Sequence, residues 1–525
     1  MCLARQAGTF PFFILTLPSA CATIKQLEKA IDFPVSEHKQ EVCSFFSCGR
    51  PVSGIGLPKK MRRSFMSQSE RNHENPMGTK PIMPLLMSMS VPAMVSMLIQ
   101  SLYNIVDSLF VGRLSQEALT AVSLVFPLQN LVLAVAVGTG VGVNASIARS
   151  MGEKNQREVD EAASHGLVLT FFHILFFVLL GLFGSRWFVG LFTDSADILE
   201  MGCDYSYIVI CLSGASLVHI LIEKIFQATG RMLMPMIMQI VGAVVNIILD
   251  PILIFGLLGA PALGVKGAAI ATVIGQCCAC SLAIILYVKR DCGVHIRLKG
   301  FRWNGSMVKR LYGVAIPSGM IMSMPSILVG LLNGILAGLS QLAVAVFGIY
   351  FKLQTFVYMP SNGLIQGMRP IISYNYGARN YKRMQHTLHC SIAVTAAIMA
   401  VGTILFLAGG KWILLMFGGT EEMLDMGVQA FRIICVGFIF SALGVIIAGA
   451  FEALGMGGHS LIISLLRQMM IIPPLAFLLV RAGLGLTGVW ITFPIAEVTA
   501  SIAAVVLYQT VWKRLKKQME CDRIE

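Results

Sequence analysis

Charge is what this chain has least of. Only 13% of its 525 residues are Asp, Glu, Lys or Arg, where soluble domains carry about 25%. Acids are scarcer than bases, 27 against 40. No Walker A lysine motif, H-E-x-x-H or paired-aspartate prenyl-diphosphate motif occurs, so an ATP-driven or enzymatic reading has no residues to rest on. His165, His173 and His219 are scattered and do not supply the surface cluster an integral-membrane transferase needs. Cysteine is present, thirteen times, but mostly within apolar runs or on the basic side of the chain, so no disulfides are expected. Cys277 and Cys280 form a C-x-x-C in an apolar helix without other ligand candidates and read as small core residues.

What the chain has instead is apolar length. It is 56% hydrophobic with a mean hydropathy of +0.75. Runs of about 20 residues, enough to span a bilayer as a helix, occur near 85–111, 118–147, 163–183, 206–228, 233–257, 265–288, 309–333, 342–370, 388–408, 429–454, 459–480 and 487–511. The predicted fold is an all-α integral membrane protein with twelve transmembrane helices. Its net charge of +13 does not indicate nucleic acid, because the bases fall in alternate loops. Arg149, Lys154, Arg157, Arg231, the stretch from Lys289 to Arg310, Arg379, Lys382, Arg383 and the Lys513 to Lys517 tail share one side. The other carries Asp194, Asp197, Glu200, Glu421, Glu422 and Asp425. By the positive-inside rule the basic side is cytoplasmic, with both termini on it.

Residues 1–80 form an N-terminal extension that does not fit this pattern. Phe10 to Leu17 followed by Ala20-Cys21-Ala22 resembles a signal peptide, but cleavage there would reverse the loop charges. A non-native start is the preferred reading, with Met66 opening a polar tail, Ser67 to Lys80, expected to be disordered.

Sliding the chain against itself reveals a repeat at a shift of 225 residues. It pairs Pro92 with Pro317, Leu114-Ser115-Gln116 with Leu339-Ser340-Gln341, Gln129 with Gln354, Gly138 and Gly142 with Gly363 and Gly367, Trp187 with Trp412, and Phe226-x-Ala228-x-Gly230 with Phe451-x-Ala453-x-Gly455. Six spans per repeat is an even number, so both halves insert in the same orientation. The result is two six-helix bundles related by a pseudo-two-fold along the membrane normal, an architecture of transporters. The expected divisions are a first lobe at 81–288, a cytoplasmic linker at 289–308, a second lobe at 309–512 and a basic tail at 513–525. Substrate is expected in the cleft between the lobes.

Asp107 ends the first run, with Tyr103 four residues earlier on the same helical face and Asn104 beside it. An ionised Asp at a membrane helix centre costs on the order of 3 kcal/mol, which makes such a residue a site by default. The alternative is an acid snorkelling at the helix end near Arg113. The fifth run repeats the arrangement with Asn246 and Asp250, followed by Pro251, which cannot donate to the helix ladder and marks a kink. Runs one and five cross in the same direction, so Asp107 and Asp250 fall at comparable depth, near Thr272 of the sixth. Protonating an ordinary Asp at pH 7 costs about 4 kcal/mol. That is close to the insertion cost, so a modest change in hydration would switch the group between charged and neutral, as H⁺ coupling requires. Ionised, Asp107 and Asp250 with the oxygens of Asn246 and Thr272 would equally suit Na⁺.

The second half lacks this chemistry. At the repeat shift Asp107 meets Leu332, Tyr103 meets Leu328, and Asp250 meets the apolar stretch around Pro473-Pro474. Its own intramembrane charges, Lys352, Arg467 and Glu497, either line a cavity or pair with one another. Gln129, Gln354 and Asn104 are further cavity candidates, and Glu223 with Lys224 reads as a local or interhelical pair. Gly483-x-Gly485-x-x-Gly488 reads as a loop, and Gly138-x-Gly140-x-Gly142 as helix packing.

Through Tyr103-Asn104-Ile105-Val106-Asp107, Phe110-Val111-Gly112-Arg113, Phe226-Gln227-Ala228-Thr229-Gly230, Asn246 to Pro251, Gly267 to Thr272 and Gly363-Leu364-Ile365-Gln366-Gly367, the chain resembles the multidrug and toxic compound extrusion (MATE) family. The likeness covers about residues 80–515 and is strongest to the bacterial DinF/MepA branch. It implies a V-shaped, monomeric antiporter of a bacterial inner membrane, without cofactor, expelling amphipathic organic cations against inward H⁺ or Na⁺. It implies coupling roles for Asp107, Asn246 and Asp250, with Tyr103 and Thr272 beside them, and a bending first helix at Pro92. The acid that other branches carry in span seven or eight is replaced by Lys352 and apolar neighbours. A flippase for a lipid-linked or anionic amphipathic substrate shares the plan. Lys352 and Arg467 are compatible with it, whereas the paired acids favour cations.

Overall fold

The computed structural model describes residues 75–416 and 420–521. Residues 1–74, where most of the expected N-terminal extension falls, and the last residues of the basic tail lie outside them. Among the described residues all regular structure is helical.

Twelve long helical elements follow in order. The first six are α1 (Ile82–Leu114), α2 (Gln116–Gly152), α3 (Gln156–Gly190, through a π-helical turn at Leu180–Gly184), α4 (Ala196–Cys211, then Gly214–Ala228), α5 (Leu233–Phe255) and α6 (Val265–Lys289). The second six are α7 (Gly305–Ala337), α8 (Gln341–Gly377), α9 (Tyr381–Met416), α10 (Glu421–Ile434, then Val436–Ala453), α11 (Gly457–Leu465 continuing through Ile472–Leu479 to Leu484) and α12 (Gly485–Cys521). Several exceed the apolar runs because their ends project beyond any bilayer core. The acids expected in loops are helical instead: Asp197, Glu421 and Glu422 lie in the first turns of α4 and α10, and Glu200 and Asp425 just beyond them.

The repeat is visible in local structure. Ser115 and Ser340, equivalent at the 225 shift, cap α2 and α8 by accepting from Ala118 N (3.0 Å) and Leu342 N (3.2 Å), satisfying orphan N–H groups. Asn155 and Asn380 do the same for α3 and α9. The fourth span is bent by 43° after Cys211, and the tenth is interrupted at Cys435, so both breaks fall near one place in the repeat. Between α11 and α12 the chain reverses at Gly483 (φ 89°) and Gly485 (φ 55°), a left-handed backbone that glycine adopts without a Cβ clash. A Cβ on Gly488 would sit 2.9 Å from Leu479 Cβ, so α12 folds straight back on α11.

The contacts joining the two halves cluster on the basic side. A Cβ at Gly138 or Gly142 would meet the Ala315 or Leu311 carbonyl oxygen of α7 at 2.5 Å, and one at Gly363 would meet Met94 N of α1 at 2.8 Å. Small residues let these backbones touch. Arg310 Nη1 of α7 donates to Glu158 Oε2 of α3 at 3.0 Å, and Arg149 lies over the Tyr376 ring.

Residues 75–80 depart from the disordered tail expected through Lys80. Pro76–Thr79 forms a helical turn capped by Asn75, with Met77 buried in a core that the start of α1 shares with the second half. Asn375 Nδ2 and Arg383 Nε donate to the Met77 carbonyl at 3.1 and 3.0 Å. Burial of one large side chain and satisfaction of its backbone fix a segment whose composition alone suggests none of this. Cys277 also differs from its expected core position, lying exposed on the α6 surface.

Candidate functional site

The two acids of the first half come together. α5 and α6 lie in close contact because both are glycine-lined: a Cβ on Gly275 would be 2.8 Å from the Gly242 carbonyl oxygen and 3.2 Å from Asn246 Cβ. That approach lets Asn246 Nδ2 donate both to Asp250 Oδ1 within α5 (3.1 Å) and to Thr272 Oγ1 on α6 (3.4 Å). Asn246, Asp250 and Thr272 are all buried. From α1, the Asp107 carboxyl faces that of Asp250 within hydrogen-bonding reach. A donor in that contact must be a proton on one of the two acids, because carboxylates only accept.

The arrangement leaves three buried oxygens without a donor: Asp107 Oδ1, Asn246 Oδ1 and Asp250 Oδ2. Buried acceptors of this kind are nearly always satisfied in folded proteins. These three, contributed by α1 and α5, are hard oxygen ligands, and the Thr272 hydroxyl is tied to them through Asn246. Two facing carboxylates carry a surplus negative charge that a shared proton or a small cation removes. Tyr103, one turn before Asp107, lies close enough to feel both acids.

One member was not anticipated. Tyr205 of α4 is 2% exposed and lies near Asp107, its hydroxyl accepting from Gln129 Nε2 at 3.2 Å. Gln129, expected to line a cavity, thus holds a site tyrosine. Neither residue carries a spacing signal, since they are 76 positions apart. Asn104 is exposed on α1, and its carbonyl accepts from Ser108 Oγ at 2.8 Å. Pro92 and Pro251 sit inside helices that continue through them, each leaving the carbonyl four residues earlier without its ladder donor.

The second-half charges divide. Arg467 Nη1 lies 3.9 Å from Glu497 Oε2, and Tyr358 donates to Glu497 Oε1 at 3.3 Å, with Arg467 over the Tyr358 ring. Arg467 Nη1 and Glu497 Oε2 take no hydrogen bond. Lys352 is exposed and Gln354 half-buried on α8. Lys224, 4% exposed, donates to Glu223 Oε1 (3.1 Å), Gln227 Oε1 (3.0 Å) and, across the halves, Gln366 Oε1 (3.3 Å). Arg369 and Glu452 form a further ion pair, to which Ser318 Oγ donates at 3.0 Å. Both charges lie within apolar runs of the sequence.

Twelve spans in two repeated bundles, joined on one side and holding an acid pair inside the first, define a membrane transporter. The MatE family model matches residues 92–252 and 317–478, once in each half and 225 residues apart at the start. The multidrug export protein MepA of Staphylococcus aureus (strain MSSA476) is 27% identical over 440 residues, covering 83% of this chain and 95% of that protein. MepA of Staphylococcus haemolyticus (strain JCSC1435) is 26% identical over 435 residues, with the same coverage. Among solved structures, an outward-facing multidrug resistance MATE transporter of the MOP superfamily superposes with a TM-score of 0.78 at 25% identity, over 84% of this chain and 99% of that one. A MOP superfamily transporter from Pyrococcus furiosus Vc1 (DSM3638), whose binding pocket is described as reversed in polarity, gives 0.77 at 26%, over 82% and 96%. This chain belongs to the MatE family, a multidrug-efflux family of transporters rather than enzymes.

Proposed function

We propose that the protein is a secondary antiporter that expels amphipathic organic cations in exchange for H⁺ or Na⁺, with Asp107, Asn246 and Asp250 as the coupling site and Thr272 and Tyr103 as its supports. The observation that carries this reading is the meeting of Asp107 and Asp250 in a buried setting, each with one oxygen that has no donor, beside the equally unpartnered Asn246 Oδ1. With one proton already shared between the two acids, one further H⁺, or one Na⁺ held by the open oxygens, neutralises the pair. Neutralisation lowers the cost of closing the first half around it, so ion binding and the rocking of the bundles become linked. The basic loops belong on the cytoplasmic side of a bacterial inner membrane with both termini inside, and the protein works as a monomer. Contacts clustered on that side then correspond to an outward-facing state.

The test is efflux of a cationic dye from proteoliposomes under an imposed pH gradient, compared with an imposed Na⁺ gradient. Transport driven by one of them identifies the ion. Transport driven by neither removes the antiport reading. A second reading, export of an amphipathic anion or lipid-linked substrate, is favoured by Arg467 Nη1, a buried donor without an acceptor, and by the likeness to the Pyrococcus furiosus transporter of reversed pocket polarity. It predicts efflux of an anionic dye that Arg467→Gln eliminates.

A further inference from the structure

The segment 290–304, which joins the two halves, is a strap fastened along the basic-side end of α3. His295 N donates to Asp160 Oδ1 at 3.0 Å, Arg297 N to Ser164 Oγ at 2.9 Å, and Asn304 N to His165 Nε2 at 3.0 Å. Asn304 Nδ2 reaches Glu161 Oε1 at 2.6 Å, and the Arg297 guanidinium pairs with Asp160 at 3.3 Å. Cys292 and Val294 point inward and are buried, and burial pushes the Cys292 thiol up from its ordinary value, so it stays neutral. With its inner face and its backbone thus committed, the strap has one free surface.

That outer surface joins bases to large apolar groups. Leu298 is 57% exposed and Trp303 56%. Arg290, Lys299 and Arg302 are exposed, and none is in an ion pair with a described residue. Trp303 packs edge-on against Phe172 of α3, ring centroids 6.5 Å apart, and Phe172 is itself 52% exposed. Trp303 also lies 6.0 Å from the ring of His165, which sits two residues inside the apolar run that begins near residue 163, so the indole starts at the boundary between hydrocarbon and headgroups, where Trp is enriched, and reaches inward to Phe172. Lys299 and Arg302, within four residues of it, are then at headgroup level. Exposed apolar groups in this position are covered by acyl chains, and unpaired bases beside them are complemented by anionic headgroups.

We propose that the strap is a binding site for anionic phospholipid, with the headgroup at Lys299 and Arg302, reinforced by Arg290, and the acyl chains against Leu298, Trp303 and Phe172. The strap ends on Asn304, whose side-chain oxygen caps α7, so the lipid would sit where the first half hands the chain to the second. This holds whether the transported substrate is a cation or an anion.

The test uses the full chain in phosphatidylcholine bilayers containing a minor fraction of brominated phosphatidylglycerol or, at equal fraction, brominated phosphatidylcholine. Tryptophan emission of the wild type minus that of Trp303→Phe isolates Trp303 among the five tryptophans. The expected result is stronger quenching of Trp303 by the brominated anionic lipid. Lys299→Gln and Arg302→Gln should each lower that preference about fivefold, the effect of one base near a charged surface. A melting midpoint equal to that of the wild type reports that the variants are folded. High salt should weaken the preference in the wild-type chain without any substitution. Equal quenching by the two lipids, or a preference that survives both substitutions and high salt, overturns the proposal. Inorganic phosphate that competes the preference away would assign the bases to a soluble anion and overturn it too.

Discussion

Asp107 in the first half and Leu332 in the second occupy one position of the same repeat, and their surroundings have diverged in opposite directions. Around Asp107 the first half gathers Asp250, Asn246, Thr272 and Tyr205, with buried oxygens left open. Around Leu332 and Leu328 the second half gathers rings: Phe347 stacks on Trp490 at 6.4 Å, Tyr350 meets Phe493 edge-on at 5.7 Å, and Phe406 lies 5.1 Å from Phe431. The first half holds acids and open buried oxygens at the place where the second half is packed with rings.

The sharpest way to break the comparison is to take the charge from the first half. Asp250→Asn and Asp107→Asn keep the shape but remove the titratable and cation-binding carboxylate, so ion-driven dye efflux should fall by about two orders of magnitude while expression and insertion persist. That size corresponds to losing roughly 3 kcal/mol of coupling. Efflux at wild-type rates in either variant would show that the acid pair does not couple transport.

The converse substitution puts charge where the rings are. Leu332→Asp buries an unpaired carboxyl at 0% exposure, at a cost on the order of 3 kcal/mol. The melting midpoint of the purified protein in detergent should drop clearly, without any gain of ion-driven transport. An unchanged midpoint would mean that the second half tolerates charge as the first does. Glu497→Gln should cost less, about 1–2 kcal/mol, because its 3.9 Å contact with Arg467 is loose, although removing one partner of a buried pair exposes the other to desolvation. The melting midpoint measures it, and the ion dependence of efflux should stay where it is.

The parts of this architecture that depend on spacing were legible in the sequence. Asp107 and Tyr103, and Asn246 and Asp250, are four apart on helices, and acids in apolar runs are costly enough to be noticed. The repeat follows from matching glycines and prolines. Legibility fails where a residue's meaning depends on a partner far along the chain. Arg369 near the end of an apolar run looks like a snorkelling base until Glu452, 83 residues on, is seen beside it. The break of α10 at Cys435 coincides with no proline, so no local signal marks it. The strap looks like a basic loop, because its fastening to Asp160 and His165 is fixed by packing of α3 against the chain more than 130 residues later.

Tyr205 is the same lesson inside the site, and its test is the mildest. A tyrosine in an apolar run is ordinary membrane-helix composition, and only the Gln129 amide and the nearby Asp107 give its hydroxyl a role. Tyr205→Phe keeps the ring in its buried place and removes the oxygen, leaving Gln129 Nε2 without that acceptor. A hydrogen bond of this kind contributes about 1 kcal/mol, so the half-maximal driving-ion concentration for dye efflux should shift by about fivefold while the maximal rate changes little. The equivalent residue in the second half is Ala430, buried among rings with no polar group to orient. Ala430→Ser should therefore leave the half-maximal ion concentration unmoved. A shift at Ala430 as large as that at Tyr205 would mean that the ion dependence responds to packing anywhere in the bundles and not to the polar site of the first.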